Sequence, residues 1–263
     1  MTVNLPQRSV KISRCPSLTI KKFSALQALL GLAAVLLFTA VFEHSALDLA
    51  VSQHFYVTHT GWLIAKSALL PDLIFYDIPK KTLIIFEIYL LMALLQRYVS
   101  ALAAPPRWLH GLVQKTAWFR VFLPLSLAEM GYVAAAMVCV PLITASLKSV
   151  THVVCPSHLQ IFGGEFAYLS IWQNMQAGTD AKCFPAAHAS AGFALYAWAF
   201  VPSLWQYRWR IATAVTILAW LMGGYKMLIG DHFLSHTVVS MCLAWTICSA
   251  LAWLWCRYYD ACA

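Results

Sequence analysis

Charge is what this sequence has least of. Of 263 residues, 11% are Asp, Glu, Lys or Arg, whereas a soluble domain carries about a quarter. That shortage excludes a water-soluble globular domain. Acids are scarcer still, 10 against 18 bases. No glycine-rich phosphate loop, internal repeat or low-complexity tract is present, which excludes P-loop and dinucleotide-binding chemistry and repeat architectures. The 8 cysteines are scattered and do not form the framework of a small disulfide-rich domain.

What is abundant is hydrocarbon: 61% of residues are hydrophobic and the mean hydropathy is +0.70. Several apolar runs approach the roughly 20 residues that span a bilayer. The expected fold is all-α, a polytopic membrane protein with a six-helix bundle over 23–257. Its spans are 23–42, 83–99, 121–147, 188–204, 211–224 and 237–255, flanked by a basic tail at 1–22 and a short tail at 258–263. The first run is too long for a cleaved signal peptide and reads as a signal anchor. Residues 55–70 are expected to form an amphipathic helix lying on the membrane surface. Glu87 and Glu129 fall inside spans, where a carboxylate needs a partner.

Six spans place both termini on one side. That side holds 12 of the 18 bases; the other has only Lys66, Lys80, Lys81, Lys148, Lys182 and Lys226. The positive-inside rule puts both termini in the cytoplasm of an integral membrane protein, as in a bacterial inner membrane. The net charge of +8 therefore reads as topology and does not imply nucleic acid. Of the 9 histidines, all but His110 fall on the outer side or at its membrane edge. Cys139, Cys242 and Cys248 lie in spans, and Cys15, Cys256 and Cys262 on the reducing side. Only Cys155 and Cys183 face outward, and a disulfide between them is expected.

Three short pieces converge on that outer side. Lys148 is followed after six residues by Cys155-Pro156; Pro185-Ala186-Ala187-His188 opens the fourth span; Lys226 is followed after five residues by His232 and, three further on, by His236. If a helix starts near His232, both imidazoles share one face of its first turn. These groups suit phosphoryl transfer through a phosphohistidine. One imidazole attacks phosphorus, a second protonates the leaving oxygen, and lysines with backbone N–H groups hold the phosphate oxygens. Pro185 is well placed just ahead of a helix.

The arrangement resembles the type 2 phosphatidic acid phosphatase superfamily, membrane lipid phosphatases related to vanadium haloperoxidases. Their pattern is lysine, six residues, arginine-proline; then proline-serine-glycine-histidine; then serine-arginine, five residues, histidine, three residues, aspartate. The spacing here matches in all three pieces, over about half of the chain. The resemblance implies His232 as nucleophile, His188 as general acid and His236 in the orienting position. It also implies Lys148, Lys226 and the backbone at Ala186 and Ala187 as the phosphate cradle, with a lipid phosphate or diphosphate as substrate and membrane lipids as surroundings. Six positions depart from the pattern: Cys155 and Lys226 replace arginines, Ala186 and Tyr225 serines, Ala187 a glycine and His236 an aspartate. Lys226 keeps the charge without the bidentate fork.

Alternatives remain open at this level. A lipid acceptor in place of water would make a phosphotransferase, and a catalytically weak relative would only bind lipid phosphate. His188, His232 and His236 also suit a metal or haem, although Lys148 and Lys226 would repel a cation. No cofactor or metal is implied, and nothing speaks to the oligomeric state.

Overall fold

The computed structural model describes residues 18–58, 61–101 and 125–261. Most of the basic tail, Cys15, Cys262, His59, His110, Arg107, Lys115, Arg120 and the start of the expected third span lie outside the described residues.

The chain begins with α1 (Leu18–Glu43) and α2 (Leu47–Phe55). A two-stranded hairpin follows, β1 (Tyr56–Val57) and β2 (Gly61–Trp62), with Tyr56 opposite Trp62. Next come the single turn α3 (Leu69–Asp72), a π-helical turn (Leu73–Asp77) and α4 (Ile78–Ala101). Helices α5 (Leu127–Thr151), α6 (Ile171–Ala177) and α7 (Ala187–Phe193) lead into two 3-10 segments, Ala194–Phe200 and Pro202–Tyr207. Helices α8 (Arg208–Leu228) and α9 (Leu234–Ala261) complete the bundle.

Among the described residues, four helical stretches are long and apolar enough to cross a membrane: Leu18–Glu43, Leu127–His158, Pro202–Leu228 and Leu234–Tyr258. The protein is thus all-α in its main body and integral to a membrane. The expected continuous helix at 188–204 is instead a seven-residue α-helix continued by 3-10 turns. Pro202 opens the second of these, where its missing N–H costs nothing. The expected surface helix at 55–70 does not form. The rings of Tyr56, Trp62 and Phe162 instead pack on one another at 5.1 to 5.6 Å, and join Val154, Leu159 and Phe233 in a small core of their own. Burial against protein outweighs the amphipathic pattern there.

Local chemistry sets several helix boundaries. Ser126 caps α5 by accepting the Glu129 N–H (3.2 Å), while Glu129 accepts the Ser126 N–H (2.7 Å). The second carboxylate oxygen of Glu129 takes the backbone N–H and the hydroxyl of Ser203 at 2.9 and 2.7 Å. One of the two intramembrane acids is thereby fully partnered. The main core is built from small and medium side chains of α5, α7, α8 and α9, among them Met130, Val133, Ala189, Phe193, Ala219, Ala244 and Cys248, all nearly inaccessible. Small residues let helix backbones approach closely, which is how packing replaces the hydrophobic drive inside lipid. Gly31 of α1 is such a point: a Cβ there would meet Thr246 of α9.

Chain direction alternates through the bundle. The starts of α4, α7 and α9 and the ends of α1, α5 and α8 consequently gather at one end, and the polar residues described next lie there.

Candidate active site

Each of the three sequence pieces sits where one helix stops or starts. Helix α5 ends at His152, whose left-handed backbone (φ 53°) turns the chain out of the helix; Lys148 lies in its last turn. Cys155 and Cys183 are joined by a disulfide, with Cα atoms 5.3 Å apart. The crosslink fastens the segment after α5 to the segment before α7. Cys183 N–H also bonds the Val153 carbonyl (3.0 Å). Ala186 caps α7 and Ala187 opens it, so His188 stands in the first turn. The Ala186 N–H is engaged by the carbonyl of His236 (3.3 Å), which ties the start of α7 to α9.

Helix α8 ends in a tight turn at Gly230, which has φ +75°. The N–H groups of Asp231 and His232 both bond back to the Lys226 carbonyl, at 2.8 and 3.2 Å. That turn needs glycine twice over, for its φ and because a Cβ would overlap the Trp62 ring. His232 therefore precedes α9, and only His236 is in its first turn. The two rings nevertheless meet, Nδ1 to Nδ1 at 3.3 Å. Both residues are buried, at 4% and 1% exposure. The backbone of Cys183 is a polar neighbour of the His236 ring.

The His188 ring lies 6.2 Å from the His232 ring, centroid to centroid. Burial, followed by the charges of Lys148 and His188, pushes the His232 imidazole down to about 3; Asp231 opposes the shift. His232 is therefore neutral, with a lone pair available, at any physiological pH. Lys148 and Lys226 bear electrostatically on both His188 and His232. Lys226 is nearly buried (8% exposed), and its ammonium is held by Asp231 (3.2 Å) and by the face of the Tyr76 ring (4.0 Å). Asp231 also pairs with Lys66 at 2.6 Å. Burial alone would raise the Asp231 carboxyl, but the Lys66 hydrogen bond and both lysine charges outweigh it and lower the pKa.

Four side chains that gather at this end lie outside the three motif patterns: Lys66, Tyr76, Lys80 and Asp231. The Tyr76 hydroxyl lies 3.0 Å from Nε2 of His188, and the ammonium of Lys80 donates to that hydroxyl (3.4 Å). Lys66 also donates to the Ser157 hydroxyl (3.3 Å), two residues beyond Cys155, so a cation stands beside the first motif although Cys155 carries none. The available signal was the rarity of lysine in the segments expected on the outer side. The π-helical turn bearing Tyr76 is a further one, since such turns gather at functional sites, but it is not readable from sequence. His158 lies in the segment after α5, and His152 bonds the Thr179 carbonyl with Nδ1 (2.5 Å); neither belongs to the histidine cluster. Among the described residues, no group of three or more His, Cys, Asp or Glu side chains is disposed to hold a metal ion.

The family model described as the PAP2 superfamily matches residues 129–260. No curated protein and no solved structure matches the chain.

Proposed function

The chain belongs to the PAP2 superfamily, whose model covers half of it, and on that premise we propose that it dephosphorylates a membrane lipid phosphate through a phosphohistidine at His232. The observation that carries this reading is the buried His232–His236 contact facing His188 across a gap bordered by lysines.

The mechanism follows from tautomers. Of two neutral imidazoles in contact one donates and the other accepts, and in this reading His236 turns the lone pair of its Nδ1 to His232. His232 then donates from Nδ1, leaving Nε2 as the nucleophile. As Nε2 forms a bond to phosphorus, the bond from phosphorus to the leaving oxygen breaks and His188 supplies the proton that oxygen needs. Water then attacks the phosphohistidine and returns a proton to His188. Lys148 and Lys226 balance the phosphoryl charge. They stand where the superfamily pattern has a lysine and an arginine, with Ala187 at the start of α7 beside them. The neutral His236 supplies orientation in place of an anion.

In this reading α4 and the helical stretch 187–207 are the two further spans of a six-helix bundle. Both termini are cytoplasmic and the site faces outward, into an oxidising compartment that sustains the Cys155–Cys183 bond. Phosphate release from a panel of lipid phosphates, comparing wild type with His232→Ala, tests the reading. Equal rates for the two proteins on every lipid would overturn it.

A further inference from the structure

Tyr76 occupies the one nitrogen of His188 that can be reached. Nδ1 of His188 is buried and has no hydrogen-bond partner, so Nε2 is the ring's only exit for a proton. The Tyr76 hydroxyl stands on that nitrogen at 3.0 Å, with the two rings 5.0 Å apart and inclined at 73°. A ring nitrogen makes one hydrogen bond, as donor or as acceptor. A leaving oxygen therefore cannot bond Nε2 while Tyr76 stays in place. Either the hydroxyl moves aside or the proton travels through it.

The surroundings of Tyr76 hold it still. It lies on the π-helical turn Leu73–Asp77, and the chain just ahead of it is fastened to α8. There the Phe75 ring stacks on Tyr225 at 5.9 Å, and the Tyr225 hydroxyl donates to Asp72 at 3.1 Å. The Lys226 ammonium sits over the face of the Tyr76 ring at 4.0 Å. Lys80, one turn on, donates to the Tyr76 hydroxyl at 3.4 Å. A phenol has one O–H and two lone pairs, and an ammonium only donates. With one lone pair on Lys80, the hydroxyl keeps the other lone pair and its proton. When Nε2 carries a proton, that lone pair accepts it and the O–H is free for a third partner. When Nε2 is bare, the O–H donates to it and the lone pair is free. Tyr76 and His188 both line a cavity of about 330 Å³, which leaves space beside the pair.

We propose that Tyr76 is a catalytic residue that relays the proton between His188 and the leaving oxygen. As Nε2 of His232 bonds phosphorus, the bond from phosphorus to the leaving oxygen breaks. That oxygen takes the Tyr76 proton, and Tyr76 takes the proton on Nε2 of His188. Water then attacks the phosphohistidine; its proton passes to Tyr76, and the Tyr76 proton returns to His188. The phenol begins and ends each step neutral, and no further donor is required. This inference rests on the phosphatase reading, in which His188 is the source of the proton.

The test compares wild type, Tyr76→Phe, His188→Ala and the double variant in detergent micelles. One substrate is dioleoyl phosphatidic acid, whose leaving oxygen is strongly basic; the other is para-nitrophenyl phosphate, whose leaving oxygen is weakly basic. Tyr76→Phe keeps the ring under Lys226 and removes the relay. It should lose about 100-fold in kcat on phosphatidic acid and less than about tenfold on nitrophenyl phosphate, where an acid matters least. The remaining nitrophenyl phosphate turnover shows that the variant is folded. The double variant should be no slower than His188→Ala, because groups that act as one unit are not additive. An unchanged or raised kcat of Tyr76→Phe on phosphatidic acid overturns the inference and makes Tyr76 a cover that moves aside. Equal losses on both substrates also overturn it and make Tyr76 a packing residue. In both cases the phosphatase reading stands. No phosphate release by wild type from either substrate removes that reading, and the relay with it.

Discussion

Nδ1 of His232 and Nδ1 of His236 lie 3.3 Å apart in a pair closed off from solvent. One residue is in the turn after α8 and the other in the first turn of α9. Two neutral imidazoles in contact require one donor and one acceptor, so the pair fixes which nitrogen of His232 is free. The site's chemistry depends on that choice, and the first two predictions examine it.

His232→Ala is expected to abolish phosphate release. His188→Ala should lose about 10²–10⁴-fold, with the larger loss on poor leaving groups, because a general acid matters most where the departing oxygen is most basic. EDTA should change neither rate. Acid-quench trapping of a labelled phosphoenzyme in wild type, absent in His232→Ala, is the direct measurement.

At position 236 an anion should serve at least as well as an imidazole. His236→Asp is expected to retain or raise kcat, since a carboxylate accepts from His232 and steadies the positive charge that develops on it. His236→Ala should lower kcat while leaving KM nearly unchanged. Wild-type kinetics in both variants would make His236 a packing residue.

The disulfide should matter through position more than through stability. Cys155 and Cys183 close a loop with a sequence separation of 28, for which chain entropy gives roughly 3 kcal/mol. Cys155→Ser/Cys183→Ser should melt at a lower temperature and show reduced kcat, because Lys148 and His188 are no longer held on one phosphate. Alkylation without reductant, read by mass spectrometry in protein from native membranes, should leave both thiols unmodified in wild type. Full alkylation would contradict the bond.

Gly230→Ala is expected to damage the site without touching any charged group. Its Cβ would overlap the Trp62 ring and its φ is +75°, so either the turn or the hairpin must shift. Backbone strain of this kind costs about 1–3 kcal/mol. Activity should fall, and Gly230→Ala combined with Trp62→Ala should recover part of it, as measured by kcat/KM.

Acid should weaken the fold through His232. In the unfolded chain this imidazole titrates near its usual 6.5, while in the folded protein it resists protonation until about 3. The unfolded state therefore binds the proton first, and stability is lost as the pH falls from about 6.5 towards 3. The melting temperature of wild type should drop over that range more steeply than that of His232→Asn. Parallel curves would show that another group controls the acid sensitivity.

Much of this protein was legible in its sequence for local reasons. The length of an apolar run sets whether a helix can cross a membrane, and a scarcity of charge follows from lipid surroundings; both are properties of contiguous residues. The spacing of Lys148, His188, His232 and His236 was equally readable, because each motif lies within one helix boundary. The surface helix expected at 55–70 was not a safe inference: the same aromatics that suit a membrane interface also suit a small core, and Phe162 and Phe233 supplied one.

Contacts between distant segments were decided by the tertiary structure alone. Tyr76 meets His188 across 112 residues of sequence, and Lys66 reaches Ser157 across 91; no periodicity encodes such pairs. The partners of the two intramembrane acids show the same division. Sequence places both Glu87 and Glu129 inside apolar runs. The serine that caps beside Glu129 is local, but only the fold brings Ser203 to that carboxylate and leaves the Glu87 carboxyl without a partner. Hydrogen bonds depend on direction and on distances of about 3 Å, and those are set when the helices pack, not when the residues are strung together.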